Sequence, residues 1–144
     1  MKVTFVRGTD LFFAEHLTKT NMSGYYQTHG IVWDRHQFLC SWDEFDNYEV
    51  YDGQIRVGVV RLSYSESTTY LRDLQLVSDV QGKGIGTQCL DIVRHHALKR
   101  KSQRLVLRVF RENPAIKLYE SKGFTKRSEV NCLIEMELSL ASNH

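Results

Sequence analysis

Gln81-Gly82-Lys83-Gly84-Ile85-Gly86 stands between an apolar, strand-like run and an amphipathic, helical one, which is where a backbone can hold phosphate. Glycine lets the main chain turn tightly and bring its N–H groups to a ligand without a Cβ in the way. A helix that starts here adds unpaired N–H groups and the positive end of its dipole. Outward from the loop, residues 71–77 read as a strand and 78–80 as a connector. Residues 87–99 read as a helix, with Cys89, Ile92, Val93 and His96 or Ala97 recurring at helical spacing. A plain flexible turn is the alternative for the glycines alone. Two familiar phosphate loops fail on these residues: a dinucleotide fingerprint needs glycine where Thr87 stands, and a P-loop needs Ser or Thr where Gly84 follows Lys83. What remains is Gln-x-x-Gly-x-Gly, with Gln81, Gly84 and Gly86 at its fixed positions.

This pattern resembles the pyrophosphate loop of the GCN5-related N-acetyltransferase family, Arg or Gln followed by x-x-Gly-x-Gly or Ala. Downstream, residues 105–110 read as a second strand. The run from Asn113-Pro114-Ala115 through Tyr119 to Gly123-Phe124 is similar to the family's Asn-x-x-Ala-x-x-x-Tyr-x-x-x-Gly-Phe segment. Together the two motifs cover about half the chain, residues 70–138. The resemblance implies a mixed α/β fold, a central twisted mixed sheet with helices on both faces. It also implies transfer of acetyl from acetyl-CoA to a primary amine of a small molecule or protein, by direct attack in a ternary complex.

Composition agrees with one domain. The chain has 144 residues, 42% of them hydrophobic, enough for one well-buried core and too few for two ordinary domains. Net charge is +2 with the signs interspersed, so neither nucleic acid nor an anionic membrane is expected as a partner. Lys99-Arg100-Lys101 falls at the end of the long helix, where cations complement the dipole. No run reaches the roughly 18 apolar residues of a membrane span, and the amino terminus lacks a signal peptide's apolar core; a cytoplasmic location is expected. Cys40, Cys89 and Cys132 lack CxxC spacing, and His95 and His96 are adjacent rather than i, i+4. Neither a disulfide framework nor a metal site is therefore expected, and Cys89 and Cys132 read as small core residues.

Along the chain, residues 2–7 alternate as a first strand, and Asp10 is placed to cap a helix over 11–20. An aromatic loop at Tyr25-Tyr26 and a short helix within 29–45 follow. Residues 48–51 and 54–62 read as strands about Asp52-Gly53, a hairpin signal, and 64–69 as a turn. Pro114 suits a helix start and Gly123 the C′ position that ends it. Cys132, Ile134, Met136 and Leu138 alternate along a last strand. If that strand's edge is exposed it offers pairing with a second copy, a homodimer. Residues 139–144 read as a loose tail.

Site roles come from the resemblance. Backbone groups of Gln81, Gly82, Lys83, Gly84, Ile85, Gly86 and Thr87 hold the diphosphate of acetyl-CoA, with the Lys83 side chain available for a phosphate. Leu74, Gln75 and Leu76 line the pantetheine arm, and the Leu74 N–H is aimed at the thioester oxygen. Asn113 answers to the family's asparagine near that arm, or caps the helix after it. Lys117 reaches the CoA phosphates or is a solvated helix lysine. Tyr119 faces the leaving sulfur as general acid, or is a core tyrosine. The base stays open among Asp73, Glu66, Glu44 and Asp34, with Asp73 the nearest carboxylate. Tyr26, Trp33 and Asp34, with Tyr25, His36, Trp42, Asp43 and Glu44 nearby, suit a cationic amine acceptor; the alternative is that Trp33 and Trp42 anchor helices on the sheet. A non-catalytic acyl-CoA-binding sensor or regulatory module, and an unrelated nucleotide-binding domain, are the competing functions.

Overall fold

A computed structural model describes residues 2–140. In chain order the elements are β1 (Val3–Arg7), α1 (Leu11–Thr28), α2 (Arg35–Glu44), β2 (Asp46–Asp52), β3 (Ile55–Ser65), β4 (Thr68–Leu76), α3 (Ile85–Lys99), β5 (Arg104–Phe110), α4 (Ala115–Ser121), β6 (Thr125–Val130) and β7 (Leu133–Ser139). The strands form one seven-stranded mixed sheet, ordered β1-β2-β3-β4-β5-β7-β6, flanked by the four helices, so the expected mixed α/β fold is the one observed. The chain gathers into two compact units. The first holds the chain up to Leu62 and Asp73–Gly86, the second Ser63–Arg72 and the chain from Thr87 onward.

In the first unit, Asp10 caps α1 as expected, its carboxylate accepting the Phe13 N–H at 3.0 Å. Ala14 and Leu17 of α1 cluster with Phe38 of α2 and Val59 of β3, and Trp33 and Trp42 pack against them. β1 and β2 pair antiparallel, as do β2 and β3, about Gly53 at φ +62°. β3 is buried without interruption from Val57 to Leu62, the signature of a strand covered on both faces. Helix α1 corrects one expectation: it continues to Thr28, so Tyr25 and Tyr26 lie on a helix, not in a loop. Asn21, Ser23 and Gly24 look like breakers, and glycine in a helix costs about 1 kcal/mol relative to alanine. Tertiary bonds offset this cost, because the Asn21 amide donates to Gln75 Oε1 at 3.2 Å and to the Leu76 carbonyl at 3.0 Å.

In the second unit β4 and β5 pair in parallel over Thr68↔Arg104 to Leu71↔Leu107, a pairing that requires a crossover. Helix α3 supplies it, burying Cys89, Leu90, Val93 and Ala97. Burial pushes the Cys89 thiol up to about 12. The expected turn over 64–69 shrinks to Glu66 and Ser67, with Glu66 at φ +46°, because both flanking strands run on. β6 escapes a hydrophobic reading, since Thr125–Val130 is exposed throughout. It is held by its ladder with β7 and by Arg127, which reaches Glu135 at 3.3 Å and Glu137 at 2.8 Å. With β5 on its other side, β7 has no free edge, so the route to a homodimer through the last strand is closed. Ser139 belongs to β7 and Leu140 is buried; the remainder of the expected tail, 141–144, lies outside the described residues.

Candidate functional site

The glycine loop is built where β4 ends. The Val77 N–H donates to Val57 O at 2.9 Å, and a single 3-10 turn, Ser78–Val80, redirects the chain. Gln81 then fastens the loop to its strand, its side-chain amide donating to Leu76 O at 3.0 Å. Gly82 lies at φ +78° and Gly84 at φ +86°, with Lys83 on the negative side between them. That alternation of sign turns successive N–H groups toward one concavity, the geometry of an anion nest. Helix α3 starts at Ile85, where first-turn N–H groups have no partner within the helix. Residues 81–84 are exposed, so an anion has access.

On β4, Gln75 is buried and its carbonyl lies so close to Gly58 that a Cβ there would sit 2.3 Å away. The Leu76 carbonyl accepts from both Asn21 and Gln81. Of the three residues expected along pantetheine, Gln75 thus has its side chain engaged by Asn21 and Asp73, and Leu76 has its carbonyl engaged by two side-chain amides.

Unit two carries the other motif. Its parallel ladder runs to Leu71↔Leu107, and a cavity of about 150 Å³ is lined by Tyr70, Leu71, Arg72, Val106, Leu107 and Arg108. The Asn113 side chain accepts from the Ala115 N–H at 2.9 Å, which is capping work. Asn113 stands two residues before Ala115, one fewer than in the family segment it resembles. Pro114 occupies the N-cap itself, one position before the expected helix start. Helix α4 ends as Gly123 requires. Gly123, at φ +98°, donates to Glu120 O at 3.0 Å, and the Phe124 N–H to Tyr119 O at 3.1 Å, the paired bonds of a Schellman motif. The accompanying apolar contact is Tyr119 with Phe124, edge-on at 5.9 Å between ring centres. Tyr119 is therefore buried and its ring is clamped by the helix terminus. Lys117 is exposed.

The first unit also brings together two residues named from sequence alone. Tyr26 and Trp33 are in ring contact at 5.9 Å. Burial chiefly, and the charge of Asp73 second, raise the Tyr26 pKa above its ordinary value. Asp34 is not of this group, because it caps α2 by accepting from the Gln37 N–H at 3.0 Å. Glu44 and Glu66 are exposed at the end of α2 and in the β3–β4 turn. The Trp33 indole donates to Glu15 Oε2 at 3.1 Å, and Arg35 binds the other Glu15 oxygen at 3.1 Å, pinning the α1–α2 connection.

Sequence reasoning missed Arg61. Its side chain is 2% exposed and bonded to Asp73 at 3.1 Å, and burial lowers its pKa while Asp73 partly offsets the shift. The available signal was a lone cation in the apolar run Val57-Gly58-Val59-Val60-Arg61-Leu62.

A family model described as an acetyltransferase (GNAT) domain matches residues 42–126. A search of curated proteins finds no match. Among solved structures, the chain is similar to the ribosomal-protein-S18-alanine N-acetyltransferase of Escherichia coli, at 21% identity and TM-score 0.76, covering 99% of this chain and 97% of that one. It is also similar to an IAA acetyltransferase of Bacillus cereus, at 18% identity and TM-score 0.77 over 96% of this chain and 100% of the other. A GNAT family acetyltransferase of Elizabethkingia anophelis with acetyl-CoA bound is 16% identical, with TM-score 0.73 over 96% and 98%. At these identities the likeness is one of fold.

Proposed function

Since the chain belongs to the GNAT acetyltransferase family, we propose that it transfers acetyl from acetyl-CoA to a primary amine, of a small molecule or of a protein, by direct attack on the thioester. The observation that carries this reading is the loop with alternating φ at the start of α3, a cradle for a diphosphate. Names among the structural neighbours include both a protein acceptor and a small molecule, and the proposal spans both classes.

In the proposed reaction the amine nitrogen adds to the carbonyl carbon, and the C–S bond then breaks. Acetyl stays on nitrogen, CoA leaves as its thiol, and one proton passes overall from nitrogen to sulfur. The backbone of residues 81–86 and the Thr87 N–H take the diphosphate, with Lys83 on a phosphate and Lys117 and Asn113 in supporting contacts. Leu74 to Leu76 present backbone groups to pantetheine, and the Leu74 N–H stabilises charge developing on the carbonyl oxygen. Tyr119 serves the leaving sulfur. A phenol of pKa about 10 gives its proton to a thiolate of pKa about 8.5 at a cost of roughly 2 kcal/mol, so its bond to sulfur tightens as the thiolate forms. A lysine-like acceptor of pKa about 10.4 costs about 4.6 kcal/mol to neutralise at pH 7. Asp73 is the carboxylate assigned to the base, and Tyr26 and Trp33, in ring contact with each other, are assigned to the acceptor.

The test is CoA release from acetyl-CoA with a panel of aliphatic diamines, arylethylamines, amino-acid amides and short peptides. Amine-dependent release supports the transferase. Tight acetyl-CoA binding with no release from any amine, and no effect of Tyr119→Phe, would replace it with a non-catalytic acyl-CoA sensor.

A further inference from the structure

The cavity of about 150 Å³ in the second unit stands where the β4–β5 ladder ends, at Leu71↔Leu107. Its floor is apolar, because Leu71, Val106 and Leu107 are buried. Its rim is cationic, with Arg72 from one strand and Arg108 from the other, both exposed. A void of this volume admits a benzene-sized group, roughly six heavy atoms. Arg72 is held by its Nε, which donates to Ser63 Oγ at 2.8 Å, and by the Tyr70 ring 4.5 Å from its guanidinium carbon. What it brings to the cavity is charge. Arg108 brings charge and donors: its Nε meets Glu135 Oε1 at 3.4 Å, and among the described residues its two Nη groups take no acceptor. Glu135 does not neutralise it outright. The other Glu135 oxygen takes Arg127 at 3.3 Å, and Arg127 shares one Glu137 oxygen, at 2.8 Å, with Arg104 at 3.8 Å. In this network three guanidiniums, Arg104, Arg108 and Arg127, share two carboxylates, Glu135 and Glu137, which leaves one positive charge in excess before Arg72 is counted. Cations around a low-dielectric floor focus their field into the cleft.

We propose that this cavity is a carboxylate subsite, in which the Arg108 Nη groups take the acid end of an acceptor that carries its primary amine and a carboxylate on one short chain. The charge of Arg72 adds to the attraction, and the planar fork of Arg108 matches the two oxygens of a carboxylate. The inference rests on the transferase reading above. In that reading the donor brings an uncharged acetyl group, so an anion that enters the cavity comes with the amine. Along β4 the cavity residues end at Arg72, two positions before Leu74, whose N–H is assigned to the thioester oxygen. Two residues of strand measure about 7 Å. An amino acid with roughly three carbons between its nitrogen and its carboxylate is of that order of length. The substrate class that follows is an ω-amino acid, or a larger amine with an acid at that spacing.

The test compares 4-aminobutyrate with 4-aminobutanamide, equal in length and different in the charge of one end, in wild type, Arg108→Gln, Arg108→Lys and Glu135→Gln. In the wild type the KM for the acid should lie about tenfold below that for the amide, the scale of one hydrogen bond between charged groups. Arg108→Gln should bring the ratio to within about twofold of unity, and Arg108→Lys, which keeps the charge without the fork, should fall between. Glu135→Gln separates ligand binding from structure. It releases Arg108 from its partner, so the preference for the acid should hold or grow, whereas an arginine that serves only its bond to Glu135 would make this variant behave like Arg108→Gln. Equal KM values for acid and amide in the wild type, no turnover of the acid where other amines react, or a Glu135→Gln variant that matches Arg108→Gln would overturn the inference. A wild-type preference for succinyl-CoA over acetyl-CoA, abolished by Arg108→Gln, would put the carboxylate on the donor and overturn it as well. If no amine turns over, the transferase reading fails separately, and NMR of the arginine Nε–H groups, titrated with 4-acetamidobutyrate, still reads the subsite. Shifts at Arg72 and Arg108 that 4-acetamidobutanamide does not cause support the inference, and the same response to both ligands defeats it.

Discussion

Gly82→Ala separates loop geometry from loop packing. Gly82 lies at φ +78°, and a Cβ built there meets nothing within 4 Å. The substitution therefore adds no clash, and its whole cost is the backbone conformation, about 1–2 kcal/mol for an L-residue in the left-handed region. That cost has two outlets. If the loop keeps its shape, the folded state carries the strain, and melting falls by roughly 3–6 °C at about 3 °C per kcal/mol for a chain of this size. If the loop relaxes to negative φ, stability is spared, but the concavity of N–H groups opens. Acetyl-CoA then has to restore it, and the Kd rises by up to about 5- to 30-fold, at 1.4 kcal/mol per tenfold. Calorimetric titration with acetyl-CoA and scanning calorimetry of the free protein measure both outlets on one sample. The losses should sum to about 1–2 kcal/mol. A variant with wild-type stability and wild-type acetyl-CoA affinity would refute the assignment of this loop to the diphosphate.

The remaining predictions rest on other parts of the structure. Tyr119→Phe keeps the ring packed edge-on against Phe124 and deletes only the hydroxyl; kcat should fall about 10- to 100-fold, at or below the usual range for a general acid, with little change in acetyl-CoA affinity. An unchanged kcat would remove Tyr119 from the chemistry. Tyr26 holds its proton above the ordinary phenol value through burial and the charge of Asp73. The folded state thus binds that proton more tightly than the unfolded chain, and its contribution is complete below about pH 10 and lost as pH rises through the folded pKa. Tyrosine-selective NMR should show Asp73→Asn bringing Tyr26 back toward its ordinary value, and an unmoved titration would contradict the placement of that charge. Gly58→Ala forces a Cβ to 2.3 Å from the Gln75 carbonyl, a backbone collision expected to cost about 3 kcal/mol or more in chemical denaturation. A loss below about 0.5 kcal/mol, the scale of an ordinary surface change, would mean that the strands do not approach so closely.

Much of the fold was legible because local signals agreed with the tertiary outcome. Asp10, Gly53 and Gly123 each mark a terminus or turn by a conformational demand that few residues meet, and all three stand where they were expected. The glycine loop was legible for the same reason. What escaped depended on contacts distant in sequence. The second half of α1 reads as a loop until Asn21 is seen bonded to Gln75 and Leu76. β6 has no apolar alternation to announce it and depends on cross-strand charge pairs. Sequence could nominate Tyr26, Trp33 and Asp34 for an acceptor amine, and Asp73 for the base, by chemistry alone. Only the structure separates the capping carboxylate, Asp34, from Asp73, which Arg61 holds. Arg61 itself was hidden because a cation in a valine-rich strand has no meaning until its partners are known.

Initial rates measured with acetyl-CoA and the best amine varied together, with the acetyl group followed by mass spectrometry, test the central claim most directly. Direct transfer in a ternary complex predicts intersecting double-reciprocal lines, one N-acetylated amine for each CoA released, and no acetyl on the protein. Amine-independent CoA release, parallel lines with an acetylated protein, or bound acetyl-CoA that never turns over would contradict it.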